Sequence, residues 1–424
     1  MRKIAIVGAG QAGLQLAHGL LQHGYAVTLV SDRSAEEYEN GRVMSTQCIF
    51  HDGLETERKL SLNYWDGKGA SVEAFYVNVA HPGIPGERMI QFSALLEAPA
   101  HAVDQRMKFA EWLRAFTKAG GTVLQQSATL DTLEELADTH DLTLLSAGKG
   151  KLAHLFQKNP ERTPYDAPQR QCSLVYIKGA AKRDGQPGVS ANLVPGAGEI
   201  FIIPGLTRDA NGEPLPYESV LFEAVPGGPL DRFRNVKDPE ELKQNLMDAV
   251  REFIPWEADR LKDAKLVDPQ AWLQGGVTPE VRHPVATLAN GREIMGLGDT
   301  VILNDPITGQ GSGTAAKAAD HYLTRILERG EQPFDRAWME QTFEDFYQDY
   351  AQFTCMWTNA MLAPPPEHVL NFLGAAQSVP SLAALFANSF NRPKNLFPWL
   401  GDPNAAKELI AQHTAKVAAT AQKL

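Results

Sequence analysis

The turn Gly8-Ala9-Gly10-Gln11-Ala12-Gly13 constrains this chain more than any other feature. It follows the apolar run Ile4 to Val7 and opens a segment that carries Leu14, Ala17, Leu20 and Leu21 on one helical stripe. In that context the first glycine permits a tight turn, the second lets backbone approach a pyrophosphate, and the third allows close helix-strand packing. The helix start adds N–H groups and a positive dipole end. Gly24 reads as the residue that ends this helix, and Val27 to Val30 as the next strand. A dinucleotide-binding βαβ start is therefore expected within the first thirty-odd residues.

One position departs from the pattern. An acidic side chain usually ends the second strand and grips the adenosine ribose, but Ser31 stands there, followed by Asp32 and Arg33. Either Asp32 takes the role one residue late, or the adenosine half is held weakly, which suits a cofactor that comes and goes.

The 424 residues are enough for two or three domains, and an apolar share of 43% is ordinary for a chain with a full core. With 40 basic and 51 acidic residues the net charge is −11, which argues against nucleic acid or an anionic membrane as partner. Cys48, Cys172 and Cys355 form no CxxC, so a disulfide framework or zinc site is not expected, no metal is assigned, and a reducing cytoplasm fits. Met1-Arg2-Lys3 before an apolar stretch imitates a secretory signal, but the strand-turn-helix pattern accounts for it better. No apolar run approaches the roughly 20 residues that cross a bilayer.

Further along, Arg106 to Ala119 reads as a helix and Asp141 to Ser146 as a buried strand. Residues 170–225 alternate short apolar runs with Pro/Gly turns, the signature of antiparallel sheet. Glu293 to Leu297 restores a buried strand and Ser312 to Leu327 a helix. From Phe334 onward the chain reads as helical, with turns at Pro364-Pro365-Pro366 and Asn391-Arg392-Pro393. Its aromatic residues Trp338, Phe343, Phe346, Tyr350, Phe353 and Trp357 have the spacing of a core face, so most are expected to pack.

Gly298-Asp299, then Asp305-Pro306-Ile307-Thr308-Gly309-Gln310-Gly311, lies between that late strand and that late helix. An aspartate at a strand end can accept from a ribityl hydroxyl while the glycine lets the chain pass close. Proline fixes the loop, and the helix beginning near Gly311 aims its positive end at whatever lies above it. Over a flavin pyrimidine ring that dipole favours the anionic reduced form.

With both elements in this order, the chain resembles the FAD-dependent aromatic monooxygenases of the para-hydroxybenzoate hydroxylase fold. The resemblance implies an α/β architecture: a Rossmann-like FAD-binding domain, an inserted β-sheet substrate domain and a helical C-terminal region. The expected division is an FAD-binding domain of residues 1–48, 101–160 and 280–330, a substrate-binding domain of residues 49–100 and 161–279, and a helical region of residues 331–424. FAD contacts are expected at Gly8, Gly10, Gln11, Ala12, Gly13, Asp32, Arg33, Gly148, Gly298, Asp299, Pro306, Gly309, Gln310 and Gly311. Arg42 and Arg106 match arginines that such proteins place near the FAD phosphates and adenosine half; their alternative is an ordinary salt bridge.

Single-component members carry an Asp-Gly element with a downstream arginine that serves FAD and the nicotinamide cofactor. Ser146-Ala147-Gly148-Lys149 stands there instead, and no second GxGxxG follows a strand, so electrons are expected as reduced FAD from another protein. That combination resembles the two-component styrene and indole monooxygenases over nearly the whole length. The likeness includes Ser31-Asp32-Arg33, Ala98-Pro99 with Ala102-Val103-Asp104, Gly148-Lys149, Gln274-Gly275-Gly276-Val277, Gly296-Leu297-Gly298-Asp299, Gly309-Gln310-Gly311, Trp357-Thr358-Asn359 and Phe390-Asn391. The styrene branch typically has Asn, Val and His where this chain has Ser45, Gln47 and Ile49, Tyr and His at Val72 and Phe75, and Ser at Ala100. Ser45, Gln47, Val72 and Ala100 side with the indole branch, while Ile49 and Phe75 fit only as apolar residues. Any one of these positions taken alone is equally an ordinary packing choice.

The resemblance implies an oxygenase that takes reduced FAD and O2 to a flavin C4a-hydroperoxide and epoxidises the C2–C3 bond of indole, leading to indoxyl and indigo. A separate NADH:flavin reductase and a small aromatic substrate are the expected partners, and a homodimer is left open. Ser45, Gln47, Pro306, Thr308 and Gln310 are expected at the reacting centre, and Ser45, Gln47, Ile49, Val72, Phe75 and Ala100 around the substrate. No HExxH, GxSxG or histidine-carboxylate cluster is present, in keeping with oxygen transfer from a flavin. Alternatives are a styrene or other vinyl-arene epoxidase, a self-contained NAD(P)H-dependent hydroxylase, and a non-catalytic FAD-fold protein of the Rab-escort kind. Flavin halogenases share the fold, but Phe253-Ile254-Pro255-Trp256 does not reproduce their WxWxIP element.

Overall fold

Ile4, Ala5 and Ile6 have no exposed surface, and such continuous burial marks a central parallel strand covered on both faces. In the computed structural model, which describes residues 1–421 apart from Thr46 and Lys149, that strand lies inside a six-stranded sheet. Its strands are β1 (Lys3–Val7), β2 (Ala26–Ser31), β3 (Thr122–Gln125), β4 (Leu142–Leu145), β5 (Val285–Thr287) and β6 (Glu293–Gly296), in the order β5-β6-β4-β1-β2-β3. All neighbours are parallel except β5 and β6. The switch from β2 to β4 across β1 leaves the C-terminal ends of β1 and β4 beside one another, and Ser146 N donates to Val7 O over 2.7 Å. In such sheets ligands bind outside those ends.

Four helices pack together in the same unit, α1 (Gln11–Gln22) against α3 (Gln105–Lys118) and α4 (Gly311–Arg329), and α2 (His51–Lys59) against α4. Gly24 follows α1 at φ +80°, a left-handed value that a side chain would resist. Trp112 of α3 is fully buried, and its indole N–H donates to Leu62 O over 2.9 Å.

The chain divides into two compact units. The first comprises Met1–Tyr64, Asp104–Pro168 and Val277–Cys355 and carries the six-stranded sheet; the second comprises Trp65–Val103, Gln169–Gly276 and Met356–Leu424. This partition differs from the three domains expected from sequence. Residues 49–64 belong to the nucleotide-binding unit, because α2 packs against α4: a Cβ on Gly53 would lie 3.6 Å from Gly313 Cα. The helical C-terminal stretch is split after Cys355. The helix Arg336–Phe346 stays with the first unit, where Arg336 bonds Thr287 Oγ1 over 2.9 Å.

The second unit is built on an eight-stranded sheet, mostly antiparallel as the turn-rich stretch 170–225 implies. Ser71–Ala80 and Gly188–Val194 are its parallel pair. Its core joins Val175, Ile200, Val220 and Phe222 of the sheet to Leu242, Leu246 and Val250 of the helix Pro239–Phe253. The long edge strand Arg88–His101 has unpaired backbone that invites aggregation. Asn388, on the helix Pro380–Ser389, covers part of it: its Oδ1 accepts from Glu97 N over 2.8 Å. No single helix among the described residues is long and apolar enough to cross a membrane.

Candidate active site

Space, not side chains, defines the turn between β1 and α1. Gly8 sits at φ +117°, and a Cβ there would come 2.2 Å from Ser146 O. A Cβ on Gly13 would come 2.0 Å from Gly8 O, so the turn closes only with both glycines. Gly10 is different: nothing lies within 4 Å of where its Cβ would be. Gly10 is also the N-cap of α1 and offers no side chain to the first turn, whereas Asp104 accepts from Arg106 N at the start of α3. The N–H groups of Gln11, Ala12 and Gly13 are thus left for an acceptor outside the helix.

The second element meets the first. Gly298, at φ +60°, passes so close that a Cβ on it would lie 3.2 Å from Ala12 Cβ, which brings Gly298-Asp299 alongside the α1 turn. Asp299 itself is exposed. Pro306–Thr308 forms a single 3-10 turn capped by Asp305, whose carboxylate accepts from Ile307 N over 3.1 Å. Gly309 then turns the chain left-handed at φ +61°. Gln310 is the N-cap of α4 and, like Gly10, provides no side-chain cap. Thr308 and Gln310 are buried, the Gln310 amide donating to Thr308 O over 3.2 Å; Pro306 is half-buried and Gly309 exposed. Two uncapped helix starts, an open face over Gly10 and a close approach of Gly298 fit a dinucleotide that carries a flavin.

On the adenosine side, Ser31 is 1% exposed and its hydroxyl donates to Arg33 O over 2.6 Å, closing the turn on itself. Asp32 is exposed. Arg33 is held by Met44 Sδ at 3.1 Å and lies over the Tyr38 ring, while Tyr38 OH reaches back to Ala9 O over 3.2 Å. Arg106 is buried and paired with Asp104, its Nε and Nη2 both on the carboxylate, and its remaining arm reaches Gly41 O at 3.4 Å. Arg42 is exposed next to that carbonyl. Gly148 adopts φ +60°, and Lys149 lies outside the described residues.

The six expected substrate residues fall in both units. In the first, Gln47 is 2% exposed and its Oε1 accepts from Gln105 Nε2 at 3.2 Å and Ser312 Oγ at 3.4 Å. That places Gln47 against the first turn of α4. Ile49 is buried beside Gly53, and Ser45 is half-buried. In the second unit Val72 and Ala100 are opposite partners in adjacent strands and both fully buried. Phe75 stacks on Phe390 at 4.1 Å, and Trp357 meets Phe390 edge-on at 4.7 Å.

Sequence reasoning missed three participants. Glu57 and Lys108 form an ion pair with both side chains almost wholly buried. Burial drives the Lys108 ammonium below its ordinary pKa while Glu57 draws it back up. Nothing in either helix pattern announces a partner 51 residues away. Tyr350 lies on the π-turn Tyr347–Ala351, donates to Gln310 Oε1 at 3.4 Å and has Lys317 Nζ 4.1 Å from its ring centre. The π-turn is a local widening of the helix by an i→i+5 bond, which the helical period of the sequence does not reveal. Burial pushes the Tyr350 phenol upward, so it stays protonated.

A family model described as "Styrene monooxygenase A putative substrate binding domain" matches residues 148–260. Styrene monooxygenase StyA of Pseudomonas fluorescens is 30% identical over 430 residues, covering 99% of this chain and 100% of its own length. The chain belongs to the styrene monooxygenase family. It is accordingly an FAD-dependent monooxygenase, and the Rossmann-like sheet, inserted antiparallel sheet and C-terminal helices are the family's fold. Among solved structures, a flavoprotein/dehydrogenase from Cytophaga hutchinsonii superposes with a TM-score of 0.66 at 15% identity over 98% of this chain and 99% of its own. The halogenase PltM superposes at 0.63 with 13% identity over 98% and 96%. Likeness at that level is one of fold. In this chain Trp256 donates its indole N–H to Asn192 Oδ1 over 2.8 Å, inside the second unit.

Proposed function

We propose that this chain is the oxygenase component of a two-component system, which receives reduced FAD from a separate NADH:flavin reductase and uses O2 to epoxidise the C2–C3 bond of indole. The observation that carries the reading is the end-to-end match to a styrene monooxygenase across an FAD cradle whose strand end at residues 146–149 lacks the Asp-Gly element of self-sufficient relatives. Reduced FAD, when bound, supplies the oxygen-activating chemistry. The N–H groups that open α1 hold the pyrophosphate, Gly298-Asp299 takes a ribityl hydroxyl, and the start of α4 stabilises negative charge on the pyrimidine side. Pro306, Thr308, Gly309 and Gln310 would line the flavin side, the buried Gln310 amide and Thr308 O holding the loop together. Arg33, Arg42 and Arg106 belong to the phosphate and adenosine side, Arg106 acting through the turn it ties to Gly41.

A hydroxyl at Ser45 or an amide oxygen at Gln47, which accepts from Gln105 Nε2 and Ser312 Oγ, would hold the indole N–H. Ile49 lends apolar surface, and Val72, Phe75 and Ala100 are assigned to the substrate by family likeness. Cys48, Cys172 and Cys355 form no disulfide, which fits a reducing cytoplasm. The relatives' own name supports a second reading, a styrene or vinyl-arene epoxidase, in which Ser45 and Gln47 position the ring without an N–H to bind. Feeding the chain from an unrelated flavin reductase and offering indole and styrene together separates the two. Faster indole turnover supports the first, faster styrene turnover the second. Substrate-stimulated NADH oxidation by the chain alone would overturn the two-component assignment.

A further inference from the structure

The helix that opens the FAD cradle is anchored from behind by a polar cluster with almost no access to water. Gln11, the first residue of α1, is 6% exposed; Gln15 is 0%, Thr56 5%, Glu57 1% and Lys108 2%. Glu57 Oε1 accepts from both Lys108 Nζ and Gln11 Nε2, the latter at 3.0 Å. Gln11 Nε2 gives its second proton to Gln15 Oε1, also at 3.0 Å. Gln15 Nε2 continues to Thr56 Oγ1 at 2.8 Å and Ala316 O at 3.0 Å, and Thr56 closes on Gly53 O at 2.7 Å. The cluster joins α1, α2, α3 and α4.

A buried lysine carboxylate pair is a costly way to fill a core. Apolar side chains of similar volume are often as stable or more so, whereas removing one partner leaves an unpaired buried charge. What the pair supplies is direction. A glutamine amide can sit either way round, but with two oxygen acceptors in front of it only the Nε2 end of Gln11 fits, and both its protons are used. The Gln11 Oε1 atom is left buried without a partner, an arrangement a symmetric apolar packing would not impose. The side chain of Gln11 therefore faces into the unit, and only its backbone N–H belongs to the turn.

We propose that Glu57, paired with Lys108, is a positioning residue for FAD: it fixes Gln11 and through it the pitch of the Gly10–Gly13 backbone that receives the pyrophosphate. This rests on the FAD-binding reading above. The effect needs an acceptor for Gln11, not a charge as such.

The test compares three variants of the full chain by titrating oxidised FAD against flavin fluorescence, with thermal melting alongside. Gln11→Leu cuts the tie to Glu57, together with the bond to Gln15, and should weaken FAD about tenfold, which corresponds to about 1.4 kcal/mol. E57L/K108M removes charge and acceptor together, should lose as much, and should lose nothing more when Gln11→Leu is added. E57Q/K108M removes the charge but keeps an amide oxygen for Gln11, and should return to within twofold of the unaltered chain. Equal affinity for Gln11→Leu and the unaltered chain would overturn the proposal, as would equal weakness of E57Q/K108M and E57L/K108M. A fall in melting temperature with FAD affinity unmoved would mean the cluster is only a core device, which also overturns it. If E57L/K108M does not fold, Gln11→Leu against E57Q/K108M still decides. An unaltered chain that binds no FAD at all would remove the functional reading itself.

Discussion

Replacing Gly10 and Gly13 by alanine, one at a time, separates what the cradle needs to fold from what it needs to bind. At Gly10 the backbone is at φ −90°, ψ −167°, which alanine adopts freely, and no atom lies within 4 Å of the new Cβ. Alanine is a poorer N-cap than glycine by some tenths of a kcal/mol, and it lowers unfolded-chain entropy by a similar 0.4–1 kcal/mol, so stability should change by less than about 1 kcal/mol. The methyl group, however, stands where a pyrophosphate must approach. Losing one charge-assisted hydrogen bond costs about 1.5–3 kcal/mol, so Gly10→Ala should weaken FAD roughly 10- to 100-fold. At Gly13 the Cβ would meet Gly8 O at 2.0 Å, more than an ångström inside contact, and the neighbour is backbone. Overpacking of that kind costs about 1–3 kcal/mol and should lower the melting temperature by several degrees even without cofactor. Calorimetry without FAD and an FAD titration by fluorescence read the two effects. Gly10→Ala binding FAD as tightly as the unaltered chain, or melting as low as Gly13→Ala, would refute the assignment of the open face over Gly10 to a pyrophosphate.

Other substitutions probe the remaining elements. Ser31→Glu should tighten oxidised FAD severalfold by restoring a ribose acceptor at the end of β2; an unchanged dissociation constant would mean the position does not face the adenosine. Ser45→Asn should move product ratios from indole toward styrene, and identical ratios before and after would take Ser45 away from the substrate. In the second unit burial pushes the Glu257 carboxyl upward, but Arg183, Ser190 and Arg260 outweigh it and hold it below its ordinary value. A carboxyl depressed in the folded state adds stability above its unfolded pKa, near 4.3, and that stability is lost as pH falls through the folded value. Glu257→Gln should therefore lower stability at neutral pH and flatten the acid limb of the melting profile below about pH 4.3. An acid limb as steep as before would assign that limb to other carboxyls.

Local chemistry made the start of the chain readable. Gly13 answers to Gly8 O and Gly24 to its own left-handed turn, both within a few residues, and β4 and α4 announced themselves by an unbroken apolar run and by helical period. The antiparallel character of residues 170–225 was legible from turn residues for the same reason. What stayed hidden is set by distant partners. Arg106 reaches Gly41 O, 65 residues away in the chain, besides the Asp104 carboxylate that holds two of its nitrogens. Glu57 and Lys108 lie 51 residues apart, and their ion pair exists only once α2 and α3 are brought together. Residues 331–424 look uniformly helical, and only packing assigns the part up to Cys355 to one unit and the rest to the other. Tyr350 is helical by pattern, and it lies on a wider π-turn from which its hydroxyl reaches Gln310.

The most direct test of the account is a single turnover with no nicotinamide present. FAD is reduced photochemically, bound to the purified chain under nitrogen, and mixed with aerated buffer containing indole. The expected product is indoxyl in an amount approaching the bound flavin, hence indigo at up to about half of it because each indigo takes two indoxyls, with little hydrogen peroxide released by the flavin. Hydrogen peroxide as the sole product with indole, styrene and every other arene offered would contradict it.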